Sequence, residues 1–223
     1  MGKLSIIGTP IGNLEDITLR ALRTLKEADV ILCEDTRVTS KLLARHEIKK
    51  PLLSYHQHSR LSKIDQILAL LEEGKHLALV SDAGTPSISD PGTQLVEAVR
   101  KELPEVFVEA IPGPSALTAA LSVAGLPADD FVFLGFLPHK KGRQTALNKI
   151  AESKTATVLY ESPHRIAKLM KELVARVPDR RVAVCRELTK KFEQTAVGTV
   201  LEIEKRIGKD IPARGEFVVV ITP

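Results

Sequence analysis

The chain has 223 residues, of which 43% are hydrophobic and 27% charged, a balance typical of a folded globular protein and not of a disordered one. Its longest apolar runs, such as residues 131–137, are far shorter than the ~20 residues needed to cross a bilayer, and no signal-peptide core follows Met1. We therefore expect a cytoplasmic protein. The net charge of +4 weakly favours a polyanionic partner.

Apolar runs alternate with helical patterns along the whole chain. Most of the runs are continuously apolar, as expected of strands that are covered on both faces. The predicted strands are residues 4–8, 30–33, 52–55, 76–80, 106–111, 131–137, 157–160, 181–186, 193–197 and 217–221.

The segments between these strands show helical signals. Apolar side chains recur at helical spacing in two of them, where they indicate core-facing stripes. The stripes are Leu61, Ile64, Ile67, Leu68 and Leu71, and Ile166, Leu169, Met170, Leu173 and Val174. Ser162 is the predicted N-cap of the second of these helices, and residues 115–124 form a further helix that ends at Gly125.

The order of these elements predicts two α/β domains, residues 1–114 and 115–223. Strands and helices alternate regularly in the first domain, which favours a mostly parallel sheet. The second half is richer in strands, and its last part favours a mixed sheet with antiparallel pairs. A boundary is expected between residues 112 and 126, where a Pro-Gly-Pro-Ser turn interrupts the pattern.

Glycine, proline and ionisable residues follow most of the predicted strands. Because parallel strands present their carboxyl ends at one edge, these loops are expected to line a ligand site there. The richest loop, residues 81–92, holds two glycines and two prolines, so it is neither a helix nor a central strand. The glycine loops contain neither GxGxxG nor GxxxxGK[ST] and no lysine. Their composition suits a phosphate-free ligand, and S-adenosylmethionine fits.

Five motifs, in one order, resemble the blocks of the ribosomal RNA small-subunit 2′-O-methyltransferase I family. They occupy residues 8–14, 33–37, 81–92, 111–116 and 160–165, and the resemblance extends over residues 3 to 222. It implies a tetrapyrrole-methylase-like (class III methyltransferase) fold with S-adenosylmethionine in a cleft between the domains. It also implies 2′-O-methylation of a cytidine in 16S ribosomal RNA, a substrate presented as RNA or as a ribosomal subunit, and a homodimer.

The resemblance also implies which residues bind the cofactor. The positions of the first domain are Pro10, Ala83, Gly84, Thr85 and Ile88. Ser115 and Ala116 follow at the domain boundary, and Tyr160, Leu188 and Gly215 are the corresponding positions of the second domain.

Two departures from the wider superfamily bear on the substrate. Its Gly-Gly-Asp-Pro loop is replaced by Ala83-Gly84-Thr85-Pro86, which argues against a tetrapyrrole. Many RNA-modifying members have a further helical segment after the last strand, and this sequence ends at Pro223. Two alternatives stay open: a methyltransferase of the same fold that acts on a tetrapyrrole or another small molecule, and an RNA-binding module without activity.

A ribose hydroxyl needs an acceptor for its proton during methyl transfer. Ionisable side chains at the predicted edge are Glu34, Asp35, His56, His164 and Glu187. We favour Asp35, with Glu34 beside it, because Arg37 follows closely and can orient the carboxylate. The alternative is that both acidic residues cap the helix that begins after them.

RNA affinity has to come largely from contacts to phosphates. The candidates are Arg37, Lys140, Lys141, Arg143 and Arg165, although Lys140–Arg143 also fits an ordinary solvated helix start and Arg165 a first helical turn. His56 and His58 lack a third ligand at metal-binding spacing, so no metal is expected. Cys33 and Cys185 have no CxxC partner and are expected to be buried, reduced thiols.

Overall fold

The computed structural model of the protein describes residues 2–56 and 61–223. The chain forms two compact units, Met1–Ser115 and Ala116–Pro223, so the division falls one residue after the expected boundary. The first unit contains strands β1 to β5 and the second contains β6 to β10.

The first unit is a parallel five-stranded sheet with intervening helices. Its strands are β1 (Lys3–Ile7), β2 (Val30–Cys33), β3 (Leu52–Ser54), β4 (His76–Leu79) and β5 (Phe107–Ile111). Its helices are α1 (Leu19–Glu27), α2 (Thr36–Arg45), α3 (Leu61–Glu72) and α4 (Gly92–Glu102), with a short 3-10 turn at Leu14–Asp16.

The strand order is β3-β2-β4-β1-β5, so β4 lies between β1 and β2. Ala78 of β4 pairs with Ser5 of β1 on one side and with Ile31 of β2 on the other. In the common doubly wound order 3-2-1-4-5, β1 and β2 are neighbours. Here the loop after β4 is instead flanked by the loops after β1 and β2, which decides which residues can meet at this edge.

Both faces of this sheet are covered. Along β2, Ile31 and Cys33 belong to one apolar cluster and Leu32 to the cluster on the opposite face. Along β4, Leu77 and Leu79 likewise alternate with Ala78. Because successive strand residues point to opposite faces, continuous apolar runs are what a doubly covered parallel sheet requires.

The second unit contains a mixed five-stranded sheet of order β6-β7-β10-β8-β9. Its strands are β6 (Phe131–Phe136), β7 (Ala156–Glu161), β8 (Arg181–Arg186), β9 (Gln194–Thr199) and β10 (Phe217–Ile221), and its helices are α5 (Ala116–Ala124), α6 (Arg143–Glu152), α7 (Ile166–Val174) and α8 (Val200–Arg206). Only the β6–β7 pair is parallel, and the other three pairs are antiparallel. The predicted combination of a parallel first sheet and a mixed second sheet is confirmed.

One apolar core holds the second unit together. The stripe of α7 provides Ile166, Leu169, Met170 and Leu173, all fully buried against the sheet. The helix begins at Ile166 and not directly after Ser162, because residues 163–165 form a turn closed by a 3.0 Å hydrogen bond from the Arg165 amide to the Ser162 carbonyl. Because the buried apolar residues occupy one face of α7, the opposite face can carry polar groups.

Polar side chains cap several helices. The Thr18 hydroxyl accepts a 3.0 Å hydrogen bond from the Ala21 amide at α1, and Thr199 and Glu202 form a reciprocal capping box at α8. Such bonds satisfy first-turn amides that have no partner within the helix. In the described ranges, no helix is long and apolar enough to cross a membrane. Cys33 and Cys185 are buried and free.

Candidate active site

Three loops of the first unit are tied together at the carboxyl edge of its sheet. Thr9, after β1, exchanges two backbone hydrogen bonds with Gly84, after β4, at N···O distances of 2.9 and 3.1 Å. The Thr9 hydroxyl also donates to the Ser81 carbonyl (3.1 Å), and the Thr85 hydroxyl donates to the Pro114 carbonyl (3.3 Å). The predicted positions after β1, β4 and β5 are therefore neighbours.

Three glycines make this convergence possible. Gly8 and Gly113 pass so closely that a Cβ on Gly8 would lie 2.8 Å from the Gly113 nitrogen. Gly84 has a φ of +83°, in the left-handed region that favours glycine. These backbones can meet only without side chains, which explains why glycine stands at these places.

The loop after β4 is shaped by Asp90. One of its carboxylate oxygens, Oδ1, accepts hydrogen bonds from the amides of Ser87 and Gly92, both at 2.8 Å. Ile88, at the tip of the loop, is 43% exposed. Among the described residues the backbone amides of Ala83 and Thr85 have no hydrogen-bond acceptor, so they can donate to a ligand.

Glu34 directly follows β2 and lies at the same edge. Burial, and then the neighbouring carboxylates of Asp90 and Asp82, raise the pKa of Glu34 to about 6, although the Asp82 amide opposes the shift by donating to it. The neighbouring Asp82 side chain accepts a 3.1 Å hydrogen bond from the Asp35 amide. Because β4 lies between β1 and β2, this acidic group is next to the loops that carry Pro10 and Gly84.

Asp35 has a different environment from Glu34. Its carboxylate caps α2 by accepting from the Arg37 amide at 2.8 Å, and it forms an ion pair with the Arg37 guanidinium at 2.6 Å. These hydrogen bonds from Arg37 lower the pKa of Asp35 to about 2. The geometry thus matches the capping alternative, and the assignment of Asp35 as proton acceptor stays a prediction.

The expected cofactor positions of the second unit gather at one edge of its sheet. Tyr160 lies near the carboxyl end of β7, with its ring 4.9 Å from that of Phe133. Leu188 is buried just after β8, and Gly215 comes two residues before β10. The antiparallel register places the ends of β7 and β8 beside the start of β10, so all three positions lie at that edge.

The candidate RNA-binding residues fall into two groups. Lys140 and Lys141 are exposed before α6, and the Arg37 side chain is 86% exposed although it is paired with Asp35. These three can reach a polyanion. Their role in RNA binding stays a prediction.

Arg143 and Arg165 form ion pairs within the second unit. The Arg143 side chain is 3% exposed, and its guanidinium donates to Glu172 at 2.7 and 2.9 Å and to the Pro138 carbonyl at 3.3 Å. The Arg165 side chain is 14% exposed, pairs with the buried Glu161 at 2.7 Å and donates to the Leu137 carbonyl. Both guanidinium groups are engaged by carboxylates and carbonyl oxygens of the second unit, and their role in RNA binding stays a prediction.

No group of three or more His, Cys, Asp or Glu side chains that could hold a metal ion occurs in residues 2–56 and 61–223. Of the histidine pair His56 and His58, His58 lies outside the described residues. His56 is exposed after β3. The expectation of no metal stays a prediction.

Sequence reasoning did not assign a role to Asp82 or Asp90. The structure shows that both act on Glu34, and that Asp90 also holds the loop after β4. Both lie in the loop with the most turn residues, and this position could have indicated a role at the site. The strand order, which places this loop beside Glu34, could not be predicted from the sequence.

Comparison with solved structures supports the fold. A cobalt precorrin-4 methyltransferase is 22% identical with a TM-score of 0.72, covering 99% of this chain and 94% of that one. A uroporphyrin-III C-methyltransferase from Thermus thermophilus, solved in complex with S-adenosylhomocysteine, is 21% identical with a TM-score of 0.66, covering 98% of this chain and 97% of that one. At these identities the likeness establishes the fold alone.

Sequence comparison gives the family. The profile of the tetrapyrrole (corrin/porphyrin) methylases matches residues 3–204. A ribosomal RNA small subunit methyltransferase I from Thermotoga maritima is 48% identical over 222 residues, covering 100% of this chain and 99% of the relative. The Bacillus subtilis protein of the same name is 42% identical, covering 99% of this chain and 75% of the relative. The chain therefore belongs to the tetrapyrrole methylase family and, within it, to the ribosomal RNA small subunit methyltransferases I.

Proposed function

We propose that this protein transfers a methyl group from S-adenosylmethionine to the 2′-hydroxyl of a cytidine in 16S ribosomal RNA. The observation that carries the proposal is the 48% identity, over practically the whole length of both chains, to a ribosomal RNA small subunit methyltransferase I. A ribosomal substrate is consistent with the cytoplasmic location expected from the sequence. The homodimer implied by the family resemblance remains a proposal as well.

The residues of the first unit fit a cationic methyl donor without phosphates. When bound, S-adenosylmethionine supplies a methyl group activated by a sulfonium charge. The loops after β1, β4 and β5 contain no lysine or arginine, and free amides at Ala83 and Thr85 can donate to its polar groups. The carboxylates of Glu34, Asp82 and Asp90 make the same edge favourable for positive charge.

The proposed cofactor contacts comprise two sets of residues, one in each unit. The first set is Pro10, Ala83, Gly84, Thr85, Ile88 and Ser115, and the second is Ala116, Tyr160, Leu188 and Gly215. Loops joined by backbone hydrogen bonds support the first set. A shared sheet edge supports Tyr160, Leu188 and Gly215 of the second set, and Ala116 begins α5.

For the proton acceptor we propose Glu34 in preference to Asp35. A general base works best when its pKa lies near the working pH, and the pKa of Glu34, about 6, meets that condition. Asp35 is occupied by Arg37 and has a pKa of about 2, so it holds a proton poorly. Glu34 is also half-buried and directly follows β2, whose neighbour in the sheet is β4.

The test is methyl transfer from labelled S-adenosylmethionine to 16S RNA, to small ribosomal subunits and to a tetrapyrrole precursor. We expect label in RNA or subunits, located at one ribose by mass spectrometry, and none in the tetrapyrrole. Label in the tetrapyrrole alone would establish the small-molecule alternative. Failure to bind S-adenosylhomocysteine by calorimetry would favour the RNA-binding module without activity.

Gly84→Ala tests the cofactor loop. A side chain at a φ of +83° costs about 1–2 kcal/mol, so we expect a loss of stability of that size and weaker binding of S-adenosylhomocysteine. Calorimetry of unfolding and of binding measures the two effects. Gly208→Ala is the matched control, since Gly208 has the same φ of +83° and is exposed in the second unit, outside the proposed cofactor positions. Equal affinities in both variants would remove Gly84 from the proposed site.

A further inference from the structure

An open groove lies on the surface of the second unit between α6 and α7. It has a volume of about 570 Å³, and Gln144 of α6 and Ala167 and Ala175 of α7 form part of its lining. His164, Lys168, Lys171 and Arg176 contribute its basic groups, and Glu172 is the one carboxylate in the lining. None of these residues is among the RNA-binding positions expected from the sequence.

The basic groups of the groove carry unbalanced charge. In the described part of the chain, neither Lys168 nor Lys171 has a carboxylate oxygen within 4.0 Å of its ammonium group. Arg176 donates to neutral acceptors, the Asn148 side chain at 3.2 Å and the Glu172 carbonyl at 2.9 Å. The Glu172 carboxylate is already paired with the buried Arg143 at 2.7 Å. The groove therefore presents a net positive surface.

Two of the exposed basic groups, Lys168 and Lys171, lie on one face of α7, and His164 lies in the turn that precedes the helix. Lys168 and Lys171 are three residues apart within α7, the spacing that places side chains on the same helix face. Three residues of helical rise correspond to about 4.5 Å. A nucleic-acid strand places a phosphate about every 3.4 Å along a helix axis, so the two lysines are spaced to contact adjacent phosphates.

His164 lies close to the edge of the second sheet at which β7 and β8 end and β10 begins. His164 comes three residues after the end of β7, whose penultimate residue is Tyr160. A polyanion in the groove would thus enter the unit next to the edge at which the expected cofactor positions gather. Few aromatic side chains are needed for such binding, because phosphates and not bases would be contacted.

We propose that the α6–α7 groove binds backbone phosphates of the ribosomal RNA substrate through Lys168 and Lys171, assisted by His164 and Arg176. This inference rests on the proposed RNA substrate and adds a surface to it. Contacts of this kind give affinity and orientation with little sequence preference.

The test uses the double variant Lys168→Gln/Lys171→Gln in the full chain, with 16S RNA as the ligand. Glutamine keeps helix propensity and removes only the charge. Each lost phosphate contact lowers the slope of log affinity against log salt by about 1, so the slope should fall by about 2 and affinity at 0.1 M salt by about 10- to 100-fold. The matched control is Lys149→Gln/Lys205→Gln, which removes two exposed charges of the same unit outside the groove.

A lower slope and affinity in the groove variant, with the control unchanged, supports the proposal. Equal losses in both variants would show that only net charge matters and would overturn it. Unchanged RNA binding, with weaker binding of the assembled subunit alone, would assign the groove to a protein partner and would also overturn it. Binding of S-adenosylhomocysteine by the wild type is measured in parallel, because its absence marks failure of the proposed function and not of the groove.

Discussion

Replacing Glu34 by glutamine is expected to slow methyl transfer at least about 100-fold while leaving the affinity for S-adenosylhomocysteine within a few fold. The amide has nearly the same size as the carboxylate but cannot accept the proton of the ribose hydroxyl, and loss of a general base typically has this magnitude. Single-turnover transfer of labelled methyl to 16S RNA measures the rate, and calorimetry measures the affinity.

Asp35→Asn is the matched control, because it removes the neighbouring carboxylate in the same way. We expect it to weaken the cap of α2 and the ion pair with Arg37 but to keep turnover within a few fold. The opposite pattern, a slow Asp35→Asn enzyme and an active Glu34→Gln enzyme, would return the role to Asp35. Unchanged rates in both would remove proton acceptance by either residue from the mechanism.

The pH dependence of wild-type activity provides a second test of Glu34 as the proton acceptor. Only the ionised carboxylate accepts a proton, and its pKa is raised to about 6. Activity should therefore be full above pH 7 and fall as the pH decreases through about 6. The residual activity of the Glu34→Gln variant should not show this decrease. A wild-type rate that is flat down to pH 4 would be incompatible with the assignment.

Replacing Arg143 by methionine is expected to destabilise the second unit by about 3–5 kcal/mol, the usual cost of removing one partner from a buried charge pair. The substitution leaves the Glu172 carboxylate without its guanidinium and deprives the fully buried Glu161 of a cation 3.8 Å away. For a chain of this length, each kcal/mol corresponds to roughly 2–4 °C, so the unfolding midpoint should fall by roughly 6–20 °C. Scanning calorimetry measures it.

Lys140→Met is the control for this substitution, because Lys140 is an exposed cation three residues away. It should leave the unfolding midpoint unchanged. If Arg143→Met were as stable as the wild type and instead bound RNA more weakly, the RNA contact expected from the sequence would be restored. Equal destabilisation by both substitutions would contradict the role given to the buried pair.

Much of the local structure was predictable because burial on both faces of a sheet leaves a strong signal. The strands Val30–Cys33, Arg181–Arg186 and Phe217–Ile221 have the predicted bounds, and each is a largely apolar run between polar loops. The start of α7 was predicted less well, since Ser162 begins a turn before the helix. Helix ends depend on a few weak local bonds, whereas a buried strand depends on its whole length.

The basic residues show where sequence reasoning fails. Lys140 and Arg143 belong to one short basic segment, yet the first is exposed and the second is buried with Glu172. Glu172 is 29 positions from Arg143 along the chain, so no local sequence pattern predicts this ion pair. Conversely, no local pattern marks Lys168 and Lys171 as phosphate-binding residues, because the main signal of this helix is its apolar stripe.

The sequence by itself determined the strands, the division into two α/β domains, the loops rich in glycine and proline, and through its motifs the family. These properties depend on local periodicity and on residue types at short spacing. Only the tertiary structure decided that β4 separates β1 from β2, and with it that Asp82 and Asp90 face Glu34. A carboxyl group's proton affinity depends on burial and on charges brought from distant segments, and that environment exists only once the chain has folded.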